Sequence, residues 1–394
     1  MAALVAKVSR QPKRPGTQST SADVGLVLCG DVMLGRGIDQ LLPHPGDPSI
    51  PVNRRGITSA RGYVDLAERK HGPAPDDRAA EYVWGDALAV FDSSNPDLRL
   101  INLETAITAR GRPWPRKGIH YRMHPRNADV LTRARIDFCS LANNHVLDWG
   151  YPGLEDTIDT LDRAGIAHAG AGRNREQAGA PAVLSLPDGG RVIVVSLATP
   201  SSGVASLWAA SRQRPGVNLV RLTERWLAYV QRRITAVKRA GDVAVASIHW
   251  GPNWGHEFEK NQRAFARRLI DDAGVDLVHG HSSHHVRGIE AYNGKLILYG
   301  CGDLINDYEG IPKTPEQEPF APDLGLIYFA RLSATDGRLV ELRMQPTGMC
   351  RLKVRRADDN DAGRLEEILN REGARLGTRV VNDNGCLRLQ MSDC

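Results

Sequence analysis

The sequence predicts an α/β fold, because short apolar runs ending in polar residues alternate with stretches of helical periodicity. Five of these runs lead into Asp31, Glu104, the Asn144-His145 pair, His249 and His281. Ligands of open α/β sheets bind at the carboxyl ends of the strands, so the five runs describe one site. Composition agrees: 41% hydrophobic and 25% charged residues over 394 positions suit an ordinary folded chain with a sizeable core.

Taken in order, residues 1–22 are rich in Lys, Arg, Pro, Ser and Thr and are expected to form a disordered tail. The apolar run in that tail is shorter than the core of a signal peptide, and no other segment approaches membrane-spanning length, so a cytoplasmic protein without a membrane partner is expected. Residues 23–348 form the main domain. The strand Val24-Gly-Leu-Val-Leu-Cys-Gly-Asp31 opens it, followed by residues 43–84, rich in Pro, Gly, Arg and Asp, read as an inserted lid or substrate-binding segment. Strands over 97–104, 136–145, 243–249 and 275–281 follow. Trp226, Val230, Ile234 and Val237 predict a helix over 223–240 stopped by Gly241, and Phe265, Leu269 and Ile270 predict another over 259–273. Turn residues at 187–190 and 292–295 predict two hairpins. Residues 349–394 are expected to be a small C-terminal extension with a helix over 362–374 and a terminal strand.

The formal charge of +5 is small and its cations are dispersed, which argues against nucleic acid as a partner. The six cysteines are far apart with no CxxC pair, so neither a zinc ribbon nor a dense disulfide framework is expected. They read as reduced, mostly buried thiols.

Asp31 after a buried strand is either a metal ligand or a cap of the next turn, and Glu104 is equally open between ligand and solvated loop residue. Asn144, His145 and Asp148 stand together at a strand end, where a carboxylate can orient an imidazole for acid/base work. His249 alone could be a core histidine. The segment His279-Gly-His-Ser-Ser-His-His285 places four histidines within seven residues, which packing alone explains poorly. Asp303 and Asp307 follow as candidate partners for a second histidine. Arg110, Arg112, Arg116, Lys117 and His120 around Trp114 could bind a substrate carboxylate or form a solvated face.

Gly30-Asp-Val-Met33, Asn102-Leu-Glu104, Asn143-Asn-His145, His249-Trp-Gly251 and Gly280-His-Ser-Ser-His-His285, followed by Ile297-Leu-Tyr-Gly-Cys-Gly-Asp303, resemble the CapA, or poly-γ-glutamate biosynthesis, family of the calcineurin-like metallophosphatase superfamily. The resemblance implies a four-layer α/β/β/α sandwich. It also implies metal-ligand or near-ligand positions at Asp31, Glu104, Asn144, His249, His281 and His284, a catalytic His145 and Asp148 as its partner. Superfamily members carry Asp-x-His where this chain has Met33, and Gly-Asp-x-x-Asp where it has Asn102-Leu-Glu104. These departures lead to an expectation of one divalent ion, Ca²⁺ foremost, with Mg²⁺ or Mn²⁺ as alternatives and Zn²⁺ the least favoured.

The chain is also similar to the metallophosphatase-like epimerases of lasso-peptide biosynthesis. That similarity implies a metal-dependent peptide epimerase inverting the C-terminal residue, expected to be Trp, of a precursor peptide. His145 with Asp148 would serve one face of the Cα, and His284 or His285 with Asp303 or Asp307 the other. Arg110, Arg112, Trp114, Arg116 and Lys117 would hold the peptide. The alternative is a phosphoesterase or a polyglutamate- or capsule-processing hydrolase; a catalytically silent peptide-binding member is the third reading.

Overall fold

A computed structural model describes residues 5–6, 23–51, 56–76, 78–187 and 189–390. Two large sheets carry the fold. The first has seven strands in the order Val5–Ala6, Ala182–Ser185, Arg191–Ala198, Val243–His249, Leu277–His281, Lys295–Leu298, Ile289–Tyr292. The second has ten, with Leu324–Ser333, Asp23–Val32, Leu98–Leu103, Phe138–Ser140 and Ala167–Ala169 adjacent in that order.

Alternation along the strands explains the layering, since successive side chains point to opposite faces. Leu26, Leu28, Leu98 and Leu100 of the second sheet pack against Val192, Val194, Val243, Val245 and Leu277 of the first, forming a core between the sheets. Val27, Cys29 and Ile101 face the other way, onto Val90, Phe91, Leu154 and Leu161 of the helices Ala87–Ser94 and Gly150–Ala164. On the far side, Val195, Leu197, Ala246 and Ile248 meet Leu227, Val230, Ile234, Phe265 and Leu269 of Glu224–Thr235 and Gln262–Asp271. Helices therefore cover the outer face of each sheet, and each buried aliphatic side chain contributes about 1.5–3 kcal/mol.

Both expected helices form within their predicted spans. Both hairpins form as antiparallel pairs, Ala182–Ser185 with Arg191–Ala198 and Ile289–Tyr292 with Lys295–Leu298. Two further segments take defined places. Residues 43–84 contain the helix Arg61–His71, which buries Tyr63, Val64 and Ala67 and stops at Gly72 with φ 79°. The C-terminal segment continues the ten-stranded sheet: Arg379–Asp383 and Cys386–Gln390 extend it beyond Leu339–Cys350. Its helix, Asp359–Gly373, buries Leu365, Ile368 and Leu369 in the core between the sheets.

Of the expected tail, Val5–Ala6 is described as a short strand parallel to Ala182–Ser185, and the rest lies outside the described residues. Cys29, Cys139 and Cys301 are buried free thiols, and Cys350 and Cys386 are half-buried; Cys394 lies outside the described residues. Among the described residues no helix is long and apolar enough to cross a membrane.

Candidate metal centre

The parallel strands of both sheets bring their carboxyl ends to one edge. Asp31 stands in register with Asn102 on one side and with Asp303 of the short strand Asp303–Ile305 on the other. The ladder to Leu98–Leu103 shifts register between Cys29 and Asp31. Here the Gly302 carbonyl comes so close that a Cβ on Gly30 would lie 1.9 Å from its oxygen, and Asp31 N–H donates to that oxygen at 3.0 Å. Gly30 thus lets two strands deliver Asp31 and Asp303 together. From the other sheet, His249 and His281 are register partners at the ends of adjacent parallel strands.

Asp31, His249 and His281 form one group able to hold a metal ion, and Asp31, Glu104, His284 and Asp303 form another; within each, one ligand atom per residue lies within 4.8 Å of all the others. Asp31 belongs to both. His249 Nδ1 and His281 Nδ1 are 2.8 Å apart, and His281 Nδ1 is 4.0 Å from Asp31 Oδ1. Asn144 Oδ1 and Glu104 Oε1 approach His249 Nε2 at 3.2 and 3.9 Å.

The electrostatics ask for a cation. Burial, then the neighbouring Asp303, pushes Asp31 up to about 7. Burial followed by Asp31 and Asp303 holds Glu104 well above the carboxylate range. Asp31 Oδ1 accepts from Asn102 Nδ2 at 2.7 Å, but Oδ2 is buried without a hydrogen-bond partner among the described residues. Buried charges are normally paired or bound to metals, so these side chains fit a metal ion. His249 and His281 fit as well: burial and neighbouring imidazoles keep both far below their ordinary value, in the neutral form that metal ligation requires.

Beside this cluster His145 Nδ1 lies 2.6 Å from Asp148 Oδ2, which directs Nε2 toward Glu104 at 3.9 Å. Burial lowers His145 to about 4, with Lys117 adding to the shift and Asp148 opposing it. Lys117 Nζ is 2.8 Å from Asp148 Oδ1 and 3.2 Å from His145 Nδ1, and the Tyr121 ring stacks on His145 at 4.1 Å. A second pair joins His284 Nδ1 to Asp303 Oδ1 at 2.9 Å. Burial presses His284 down, but the Asp303 carboxylate outweighs it and the net shift is upward.

The structure therefore gathers Asp31, Glu104, Asn144, His145, Asp148, His249, His281, His284 and Asp303. Several expected site residues lie elsewhere. His285 turns away: its Nδ1 bonds the Val286 carbonyl, and its ring stacks on Phe320 and on Trp254, which also meet each other, beside His256. His279 bonds the Cys29 carbonyl at 2.9 Å, tying the sheets together. Asp307 accepts from Nε and Nη2 of Arg36 and from the Gly37 amide, so Asp303 is the partner of the second histidine. Arg110 is exposed and paired with Asp156, while Arg112 and Arg116 are exposed. Trp114 packs edge-on against Tyr151 and Trp208. Lys117 reaches the site as a support for Asp148 and not as an open peptide anchor, and His120, held to the Trp114 carbonyl at 3.0 Å, lines the cleft beside it.

The sequence assigned no role to Asn102 or Asn143. Asn143 donates to Asn102 Oδ1 and the Leu103 carbonyl and accepts from the His145 and Val146 amides, bracing both loops. Their place inside the Asn-Leu-Glu and Asn-Asn-His motifs was the available signal. The absence of an imidazole at Met33, a core residue, is met by His284 and Asp303 joining Asp31 and Glu104, so two ligand groups stand where one ion was expected. A cleft of about 360 Å³ opens over His284 and Asn306, walled by Tyr63, Ile119, Trp254 and Tyr308 with Lys70 and Lys313 at its margin.

Fold and site define a mixed α/β protein with a buried histidine-carboxylate centre of metal-binding type at the carboxyl edge of its sheets. The chain belongs to the bacterial capsule synthesis protein PGA_cap family, which it matches over residues 25–308. It is 48% identical over 360 residues to a "Probable polyglutamine synthesis accessory protein" of Mycobacterium tuberculosis, covering 91% of this chain and 93% of that protein. It is 26% identical over 295 residues to the "PGA biosynthesis protein CapA" of Bacillus subtilis, covering 74% of this chain and 66% of that one. With the "Capsule biosynthesis protein CapA" of Bacillus anthracis it shares 28% identity over 200 residues, 51% of this chain and 47% of the other.

Proposed function

We propose that this protein is a metal-dependent hydrolase of the calcineurin-like class, acting on an anionic polymer of the polyglutamate or capsule type. The observation that carries the chemistry is the Asp31 carboxylate shared by two ligand groups. The names of its relatives support the polymer class. Ions held there would supply polarisation of a substrate oxygen and activation of water. Mixed imidazole and carboxylate donors favour Mn²⁺, Fe²⁺ or Zn²⁺ over the Ca²⁺ suggested by sequence, since Ca²⁺ takes six to eight oxygen ligands.

In this reading His145 is a neutral imidazole whose Nδ1–H is fixed by Asp148, leaving Nε2 to take a proton from water and return it to the leaving nitrogen or oxygen. Lys117 keeps Asp148 anionic and so holds the ring in place. The aromatic walls of the cleft, Tyr63, Trp254 and Tyr308, would shield the scissile bond from bulk water. The test is incubation of the Mn²⁺- or Zn²⁺-loaded protein with γ-linked polyglutamate and with phosphodiesters, following chain length and released amine or phosphate. Shortening of polyglutamate, abolished in Asp31→Asn, is the expected result. Phosphodiester turnover alone would reassign the substrate, and turnover of neither would overturn the hydrolase reading.

One observation favours the epimerase reading as second choice: both histidine-carboxylate pairs it needs are formed, at 2.6 and 2.9 Å. It requires solvent deuterium at the Cα of a recovered peptide; inversion without deuterium, or none at all, removes it.

A further inference from the structure

A groove of about 390 Å³ runs between the helix Glu224–Thr235 and a wall that includes Ser206, Ala209 and Ala210. Its floor is apolar, with Val217, Val220 and the half-buried Trp226, whose ring meets Tyr229 edge-on at 5.4 Å. Four arginines line it: Arg175, Arg221, Arg225 and Arg232. Positions 225, 229 and 232 recur at the spacing of one helix face, and Arg221 continues the row just before the helix begins.

None of these four guanidinium groups forms an ion pair among the described residues. Nearby cations do: Arg233 of the same helix is held by Glu176 at 2.9 Å, and Arg268 pairs with Glu224. Like charges gathered without counter-charges repel one another and raise the local positive potential, which suits a polyanionic ligand. The row is also long. Arg225 and Arg232 are seven residues apart, roughly 10 Å along the helix axis, so a single phosphate or carboxylate engages one end only. A chain bearing a carboxylate on every residue reaches several guanidinium forks together, and such charge-assisted bonds are the strong ones.

The groove ends close to the metal centre. Pro200 lines it, while the adjoining Thr199 amide bonds the His249 carbonyl at 2.9 Å. A Cβ on Gly203 would lie 3.3 Å from Asn144 Nδ2. Trp208, in the wall segment Ser206–Trp208, lies under Lys117 Nζ, 5.9 Å from its ring centre.

We propose that this arginine-lined groove is a holding site for an extended polycarboxylate chain, separate from the metal centre and one loop away from it. The substrate class rests on the function proposed above. The groove would keep a long polymer attached while one of its bonds occupies the cleft.

The experiment is direct binding of fluorescently labelled long polyglutamate to the full chain, read by anisotropy, for wild type, Asp31→Asn, Arg225→Glu/Arg232→Glu and the milder Arg225→Gln/Arg232→Gln, with circular dichroism verifying the fold. Wild type and Asp31→Asn should bind alike and more weakly as salt rises, and the charge reversal should weaken binding by about tenfold or more. Arg-dependent binding without any hydrolysis by wild type would sink the hydrolase reading and leave the groove standing. Equal binding by the charge reversal, equal binding of a glutamate dimer, or stronger competition by polyphosphate of matched charge would overturn the holding site.

Discussion

Asp31 is the residue on which two candidate ligand groups converge, and its second carboxylate oxygen has no hydrogen-bond partner among the described residues. Replacing it with Asn should therefore lower metal content at both groups, whereas His281→Ala should affect only the group with His249; elemental analysis of the purified variants decides, and full occupancy in Asp31→Asn would remove it as a shared ligand. Stripped of metal, the same Asn variant should be more stable than stripped wild type at pH 8 by roughly 1–4 kcal/mol, because wild type must keep a buried charge that burial and Asp303 oppose. Urea unfolding of both proteins measures this. Lys117 acts through Asp148 and His145, so Lys117→Met should lower kcat by about tenfold to a hundredfold while metal content is unchanged, and Lys117→Arg should recover part of it. Equal loss in both variants would point to packing against Trp208 instead.

Strands end in the right residues here because a polar side chain closing a buried apolar run has nowhere to go but the sheet edge. The register shift at Gly30 then sets Asp31 beside Asp303. Gly30→Ala would push a methyl group into the Gly302 carbonyl, and a loss of about 2–4 kcal/mol by denaturant melting is expected; a loss under 1 kcal/mol would mean that the two strands can part without cost. The helix Asp359–Gly373 sits in the core between the sheets, so Leu369→Ala should cost about 2–5 kcal/mol, as at any core leucine. An unchanged melting temperature would make that segment the separable extension its sequence suggested. Its place in the sheet was not legible because Cys386–Gln390, which carries Arg379–Asp383 at its other edge, pairs with Leu339–Cys350, a strand that precedes it by a whole helix, a relation that local periodicity does not encode.

At the scale of the whole molecule, the protein also buries neutral histidines whose rings turn into packing, His285 directly after His284 among them. Burial, with His256 nearby, lowers His285 to about 3. Its folded value is below the ordinary value near 6.5, so the stability it contributes is complete above about pH 6.5 and is lost as pH falls from there toward 3. His285→Phe keeps the stack on Trp254 and Phe320 but has no proton to take up on unfolding. Its stability relative to wild type should be constant above pH 7 and rise steadily below pH 6; a flat difference across that range would show that His285 takes up its proton as readily in the folded protein as in the unfolded chain.

The α/β class, the two outer helices, both hairpins and most of the residues gathered at the candidate site were legible in the sequence, because each depends on local periodicity or on a polar residue at a strand end. Asp31, Glu104, Asn144, His145, His249 and His281 belong to that set. Membership of one sheet or the other was not legible, since parallel strands in both sheets read as the same apolar runs. Nor was side-chain direction within the histidine cluster, where His281 and His284 enter the site while His279 and His285 turn into packing. Only the tertiary structure decided that Lys117 braces Asp148, that Asp303 and not Asp307 partners His284, and that Asp31 is shared by two ligand groups. Those relations join residues tens to hundreds of positions apart, and they are set by strand register and the packing of two sheets, which no window of sequence contains.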